Sequence, residues 1–516
     1  MNNREIQAAW RYHNATKHSW ESVHSSSHYL DWENQPSAFK IYSGLDPIPL
    51  PQHLSSSMAP ALEAISVVET PAENEVVPSI QTMAEIFHLS AGITRRRNYL
   101  GGVMLFRAAA CTGALYHIDL YLVCGDLPGL SAGVYHFAPH DFALRRLREG
   151  DCRNILVRAS AREPAITQAP AIVVCASTYW RNAWKYQSRA YRHCYWDTGT
   201  ILANLLASAA VRRVPARVVL GFEDDSVAQL LSLDTKREGV LALAALGNSS
   251  RHHDPPSEAI HPQKLQTEPL SEREIDYPVI REMHEASSLE NTTEVENWRL
   301  EAYIASADEA AGVISQLIPL KPLGGDKVPQ ESLEEVIQRR GSTRKFARES
   351  IGFVQFSTML ERATRGIPSD VFSARDGAFN DIYLIVHAVE ELASGAYVFH
   401  IRERALELLK EGNFRREAGY LGLEQEIPAD CSVNVFFLAN LQEILHRFGN
   451  RGYRAAQLEA SIIAGKLYLA AYALGLGASG LTFFDDDVTE FFSPHAAAKS
   501  VMFLLAIGKS VKRRKA

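Results

Sequence analysis

Two short apolar runs, Leu120-Tyr121-Leu122-Val123-Cys124 and Ile382-Tyr383-Leu384-Ile385-Val386, have the length and the aromatic and β-branched content of buried strands. A Gly-x-Tyr-x-Phe pattern follows each one, at Gly133 to Phe137 and Gly395 to Phe399, and predicts a second short strand. In both places helices come first, and a long helix and another strand come after, so the chain reads as α+β with a modest sheet. The most apolar long stretch, Leu458 to Leu476, contains Glu459, Lys466 and many small residues, which predicts a buried helix and not a membrane span.

The two places share more than a pattern. Asp119-Leu120-Tyr121-Leu122 matches Asp381-Ile382-Tyr383-Leu384, and Ala143-Leu144-Arg145-Arg146-Leu147 matches Ala405-Leu406-Glu407-Leu408-Leu409. Arg189-Ala190-Tyr191-Arg192 matches Arg451-Gly452-Tyr453-Arg454, and Phe222-Glu223-Asp224-Asp225 matches Phe484-Asp485-Asp486-Asp487. Together with the Gly-x-Tyr-x-Phe pair, all five blocks recur 262 positions apart, a register that unrelated strands and helices would not hold. The reading is an N-terminal arm over 1–58, a first copy over 59–250, a Pro-, His- and Glu-rich linker over 251–327, and a second copy over 328–516. Two fused copies of one domain predict an intramolecular pseudo-dimer.

Composition narrows the classes without choosing one. The 516 residues carry a formal net charge of -7, with 46% hydrophobic and 22% charged residues, as in an ordinary globular protein without a general affinity for nucleic acid. The six cysteines form no C-x-x-C pair and no Cys/His run has zinc spacing, so neither a disulfide framework nor a metal site is indicated. Cys124 and Cys175 lie in strand-like runs and read as small buried hydrophobes. The polar N-terminus has no apolar signal core, and a cytoplasmic location is the default expectation.

The second copy opens with an amphipathic helix that runs into Arg339-Arg340-Gly341-Ser342-Thr343-Arg344-Lys345. Four cations and a serine around a glycine can cradle a phosphate; the same cluster also suits a solvated basic helix end. The first copy has no lysine or arginine between Lys40 and Arg95, so any such cradle exists in one copy alone.

These residues also resemble a known family. Arg340-Gly341-Ser342-Thr343-Arg344 is similar to the Arg-x-Ser-x-Arg/Lys segment that holds FMN in the nitroreductase superfamily, and Gly475-Leu476-Gly477-Ala478-Ser479-Gly480-Leu481 to the loop beside its isoalloxazine. Gly508-Lys509, with Lys512 and Arg513, resembles the segment that returns to the phosphate. Tyr12-His13, Leu30-Asp31-Trp32, Ile48-Pro49-Leu50-Pro51 and Arg107-Ala108-Ala109-Ala110-Cys111-Thr112-Gly113-Ala114-Leu115-Tyr116 resemble the SagB-type (ThcOx-like) azoline dehydrogenases. In that family Pro and Ser stand where this chain has Ala110 and Cys111, and the first copy has Arg212-Arg213-Val214-Pro215-Ala216 in place of the glycine loop.

The resemblance implies one FMN between the copies, held by Arg340, Ser342, Arg344, Ala478, Ser479, Gly480, Leu481, Lys509, Lys512 and Arg513 of the second and by Ala110, Cys111, Thr112 and Gly113 of the first. The mirror-image site is expected to be empty. It implies an FMN-dependent dehydrogenase that oxidises thiazoline or oxazoline rings of a peptide or small heterocyclic substrate, with ring formation left to a separate cyclodehydratase. Lys185-Tyr186 resembles that family's catalytic pair, with Lys185 as base and Tyr186 as relay or positioning donor. The second copy has Arg447-Phe448 at those positions, which cannot exchange protons. Tyr116, Arg107 and Arg189 are weaker candidates for the pocket wall, and the acidic runs at 223–225 and 485–487 read as loop and helix-cap features. Two other readings compete: an NAD(P)H-fed nitro or quinone reductase, and a non-catalytic FMN-binding or scaffold protein.

Overall fold

The computed structural model describes residues 2–55, 57–68, 74–99, 102–250, 261–305, 317–372 and 379–511. It contains two seven-stranded antiparallel sheets of the same topology. In spatial order the first is Pro47–Pro49, Ala143–Glu149, Gly133–Ala138, Ile118–Cys124, Ala171–Thr178, Glu238–Leu246 and Ala216–Val219. The second is Leu317–Pro319, Ala405–Glu411, Gly395–His400, Asp381–Val386, Val433–Ala439, Ser500–Gly508 and Gly477–Leu481.

Irregularities repeat along with the strands. The register slips between Val134 and Tyr135 and between Cys175 and Ala176 in the first sheet, and between Ala396 and Tyr397 and between Phe437 and Leu438 in the second. Bulges set local twist and side-chain aim, so copies that share them share a shape as well as an order. Both outermost strands, Pro-Ile-Pro and Leu-Ile-Pro, are short and end in proline, which suits an edge where no further hydrogen bond is donated. They precede the repeat bounds given above. Between the repeats, helices Pro278–Ala286 and Thr292–Ala305 bury Met283 and Trp298, so part of that connection is built into the interface.

The centre of the molecule is a pair of long helices, Ala190–Val211 and Asn450–Ala473, one from each copy. The second is the buried helix predicted from the apolar run. Small residues bring the two together: a Cβ on Gly199 would overlap Ser461, and one on Gly465 would lie 2.6 Å from Ala203 Cβ. The two charged residues of the apolar run are satisfied: Lys466 Nζ donates to Gly366 O at 2.6 Å, and Glu459 accepts from the backbone and side chain of Asn380 at 2.9 Å.

Two buried charge clusters pin the copies to each other. Asp224 accepts from Arg451 at 2.5 Å and Arg454 at 2.6 Å, and Asp485 accepts from Arg192 at 2.5 Å and Arg189 at 2.9 Å. Each aspartate begins a helix, Asp224–Leu231 or Asp485–Phe492, and also takes one backbone N–H, from Leu289 or His18. The acidic runs thus do more than cap: their first helical residue reaches across to the arginine pair of the other copy. Asp224 and Asp485 are 261 positions apart, so this block is one residue out of the 262 register. The turn before Gly477–Leu481 is one residue shorter than that before Ala216–Val219.

Candidate active site between the copies

Strand Ala171–Thr178 leads into a short helix, Trp180–Tyr186, which breaks at Gln187 with φ 49° before the long helix begins. A left-handed non-glycine residue is held there by its surroundings, and the corner leaves Lys185 and Tyr186 facing the second copy. Opposite them runs the segment 110–113. Its turn uses three left-handed residues, Gly113 at φ 65°, Ala114 at 55° and Tyr116 at 49°.

Asp197 of the long helix holds this turn. It accepts from Thr112 N at 2.9 Å, Thr112 Oγ1 at 2.8 Å and Cys111 Sγ at 2.9 Å, and its other neighbour is His117 Nε2 at 3.0 Å. Thr200 Oγ1 donates to Ala110 O at 2.7 Å. Cys111 fills a serine-like role: its thiol donates to Asp197 while its sulfur accepts the Tyr116 N–H at 3.1 Å. Burial and the Asp197 carboxylate push that thiol well above its ordinary range, so it stays protonated. Gly113 is packed against Tyr186, where a Cβ would lie 2.9 Å from the phenol oxygen.

The second copy supplies the other wall. Ser332 and Glu335 form a capping box on helix Leu333–Arg339, after which Thr343 N donates to Ala478 O at 2.8 Å. This lays Ser342 beside the strand Gly477–Leu481. Tyr468 accepts the Gly480 N–H and lies 3.4 Å from Ser342 Oγ.

A cavity of about 290 Å³ lies between the walls, near the small end of small-molecule sites. It is lined from the first copy by Ala110, Cys111, Thr112, Gly113, Lys185, Tyr186, His193, Trp196, Asp197 and Thr200. From the second come Ser342, Arg344, Gln425, Tyr468, Ser479, Gly480, Leu481, Thr482 and Phe503. Arg344 is exposed on this rim and forms no ion pair with a described residue. Thr482 Oγ1 is buried there without a hydrogen-bond partner. Burial, aided by Asp197 and Cys111, holds the Tyr186 phenol above its ordinary range, and the charge of Arg344 opposes this from across the cavity. Lys185 Nζ sits 5.4 Å from the centre of the Tyr186 ring.

Several residues expected here are elsewhere. Arg340 is buried and donates to Ala108 O at 2.9 Å and Arg107 O at 3.2 Å: the backbone turns extended at this residue and aims the guanidinium at the first copy. Ala478 is inside the strand pairing, and Lys509 pairs with Glu349 at 3.3 Å, outside the cavity lining. Lys512 and Arg513 lie outside the described residues. Arg107, beneath Phe39 and Tyr116, faces a separate small void beside Cys111, and Arg189 is spent on Asp485. Conversely, His193, Trp196, Asp197, Tyr468 and Phe503 were not singled out in the sequence. For the first three the signal was available in the repeat, where Ala455, Leu458 and Glu459 stand opposite His193, Trp196 and Asp197.

The mirror-image position is built differently. Strand Ala216–Val219 corresponds to Gly477–Leu481; its free edge pairs with residues 368–370 of the second copy, where the free edge of Gly477–Leu481 pairs with Ser342 and Thr343 of its own copy. Val218 N donates to Pro368 O at 2.8 Å, and the Asp370 carboxylate accepts from Leu220 N at 2.9 Å and Gly221 N at 2.8 Å. Arg212 is tied to Glu85 at 2.6 Å and Glu334 at 3.2 Å. The rest of that position falls on 69–73 and 373–378, outside the described residues.

The fold and cavity define a tandem α+β protein in which two halves of one chain enclose a ligand-sized site. The chain belongs to the nitroreductase family, whose model matches residues 105–248 and 337–509, one segment in each copy, and it is an oxidoreductase of that family. It is 24% identical over 162 residues to a Methanocaldococcus jannaschii protein named provisionally as a nitroreductase, covering 31% of this chain and 78% of that one. A crystal structure from Anabaena variabilis, also provisionally named a nitroreductase, superposes with a TM-score of 0.74 at 24% identity, over 98% of this chain and 99% of its own. The tandem arrangement is therefore shared along the full length. A chain of the Escherichia coli microcin synthetase McbBCD complex matches 49% of this chain and 95% of its own at 19% identity, with a TM-score of 0.30, too low to show a shared fold. No helix among the described residues is long and apolar enough to cross a membrane.

Proposed function

We propose that this protein is an FMN-dependent dehydrogenase of the SagB type, which oxidises thiazoline or oxazoline rings in a peptide to azoles. The observation that carries the reading is the asymmetry of one residue pair. Lys185 and Tyr186 line the cavity, whereas their counterparts do not: Arg447 is held by the carbonyl of Glu301 at 3.1 Å, and Phe448 is buried against Trp298 and Phe379. At this pair of positions, side chains able to exchange a proton survive only in the first copy.

The residues present fit an FMN. Arg344 and the Ser342 and Ser479 hydroxyls suit a phosphate or ribityl chain, the unpartnered Thr482 hydroxyl offers a further polar contact, and Trp196, Tyr468 and Phe503 provide flat apolar walls. Gly113, Gly480 and Leu481 bring backbone close to the same space. When bound, FMN supplies the acceptor for the two electrons removed from the ring. The protein does the rest. Lys185 Nζ takes the proton released from a ring carbon, and Tyr186, protonated because it is buried, donates a hydrogen bond that holds the ring in place. That residues 368–370 of the other copy, and not a segment like Ser342–Arg344, lie along the mirror strand supports a single flavin per chain. The five-membered rings would come from a separate cyclodehydratase.

The test is to offer the oxidised protein two reductants anaerobically, a thiazoline-containing peptide and NAD(P)H, and follow the flavin's visible absorbance. Bleaching by the peptide with formation of the thiazole is the expected result. Bleaching by NAD(P)H alone would assign the protein to nitro- or quinone-reducing chemistry instead.

A further inference from the structure

The repeat gives an internal control for the cavity residues on the helices Trp180–Tyr186 and Ala190–Val211, because their counterparts on Leu441–Phe448 and Asn450–Ala473 fold in the same order. On this comparison one buried group stands out. Asn182, His193 and Tyr186 form a polar cluster in the first copy, and the same positions in the second are Ile444, Ala455 and Phe448. Both helices keep Tyr191 and Arg192 as Tyr453 and Arg454, which serve the interface, so the polar cluster is not needed to fold the helix pair.

We propose that His193 is the substrate-orienting hydrogen-bond acceptor of the cavity, that Asn182 is its positioning residue, and that the donor it meets is an amide N–H beside the ring of a peptide substrate. This rests on the peptide reading above. His193 Nδ1 lies 2.7 Å from Asn182 Oδ1, and an amide oxygen can only accept, so the ring proton is on Nδ1 and Nε2 carries a lone pair. Nε2 bonds to no described residue, and the ring is part of the cavity wall. Asn182 Nδ2 is buried without a hydrogen-bond partner among the described residues, and the contact of its oxygen with His193 is the one side-chain hydrogen bond it makes there. The ring is wedged edge-on to Tyr186 with centroids 4.6 Å apart and tilted against Trp196 at 4.8 Å, which fixes its direction. Burial, with the charge of Arg189 behind it, holds the imidazole well below its ordinary range. It therefore accepts a hydrogen bond as a neutral ring and leaves proton removal to Lys185. An oriented acceptor between aromatic walls selects a flat ring with an N–H next to it.

The test uses the FMN-loaded protein, a thiazoline peptide, and the same peptide N-methylated at the amides flanking the ring. Replacing His193 by Leu should raise KM for the plain peptide about tenfold, the value of one lost hydrogen bond at a desolvated site, with the loss falling on KM rather than kcat. His193→Gln, which keeps an acceptor, should recover most of it. N-methylation should cost wild type the same factor and His193→Leu nothing. Nitrogen-15 NMR of the imidazoles, read without substrate, should show His193 protonated on Nδ1 in wild type and on both nitrogens in exchange in Asn182→Ala. An Nε2–H tautomer in wild type would overturn the proposal whatever the substrate. So would an equal N-methyl penalty in wild type and His193→Leu, or a loss of bound FMN in His193→Leu, which would make the ring a flavin contact. A wild-type flavin that the thiazoline peptide does not reduce would instead sink the proposed reaction, and the tautomer would still decide the acceptor.

Discussion

Asp224→Asn should cost about 3–5 kcal/mol of stability, the penalty for leaving buried cations without their counter-ion. The change keeps the side chain's shape but strips Arg451 and Arg454, both only 1% exposed, of their shared charge. A fall in the urea midpoint, with poorer recovery of folded protein, is the expected result. Asp225→Asn, one residue along and exposed, should change little. Asp485→Asn should repeat the effect, because Arg189 and Arg192 face it in the same way. The clusters also set an acid limit. Burial by itself would raise both carboxyls, but the arginine pairs override it and hold both below the ordinary carboxylate range. A carboxyl whose folded value lies below its unfolded one contributes stability that is fully present above the unfolded value, and that stability is lost as pH falls through the folded value. The fold should therefore be insensitive to these groups from neutrality down to about pH 4 and lose stability below it, and Asp224→Asn should flatten that acid dependence.

Lys185→Ala should lower turnover of a thiazoline peptide by about 10²–10⁴-fold, the range for a lost general base, with bound flavin unchanged. Lys185→Arg should be as poor, since an arginine keeps its proton. Tyr186→Phe should lower turnover by only about tenfold, because it removes a hydrogen bond and not the base. Together, Lys185→Arg and Tyr186→Phe write the second copy's pair into the first. That variant should fold and carry flavin yet be inert towards the peptide. Arg447→Ala, whose parent side chain lies against Glu301, should leave turnover intact. Full activity in Lys185→Ala would remove the pair from the reaction.

The fold was legible because its cues are periodic. Strand runs, a repeated register and the buried helix around Leu458 to Leu476 follow from local pattern, and the second sheet corroborates the first down to its bulges. What was not legible depends on which copy a side chain faces. Arg340 sits in a basic run that suits phosphate, but its backbone turns extended and spends it on the carbonyls of Arg107 and Ala108. The acidic runs looked like helix starts, which they are, while their arginine partners lie more than two hundred residues away in sequence. His193 and Asp197 were hidden inside a helix that reads as continuous core; they emerge when each residue is set beside its counterpart 262 positions on.

The core of the account is one flavin site per chain, made where Ser342 and Arg344 of the second copy face residues 110–113 of the first across the cavity. The most direct measurement is the visible spectrum of the purified protein with its flavin released and counted against chains, in wild type and in Arg344→Ala. One FMN per chain, falling well below one in the variant, is the result predicted. A colourless protein that takes up no FMN on titration, or two flavins per chain, would contradict it.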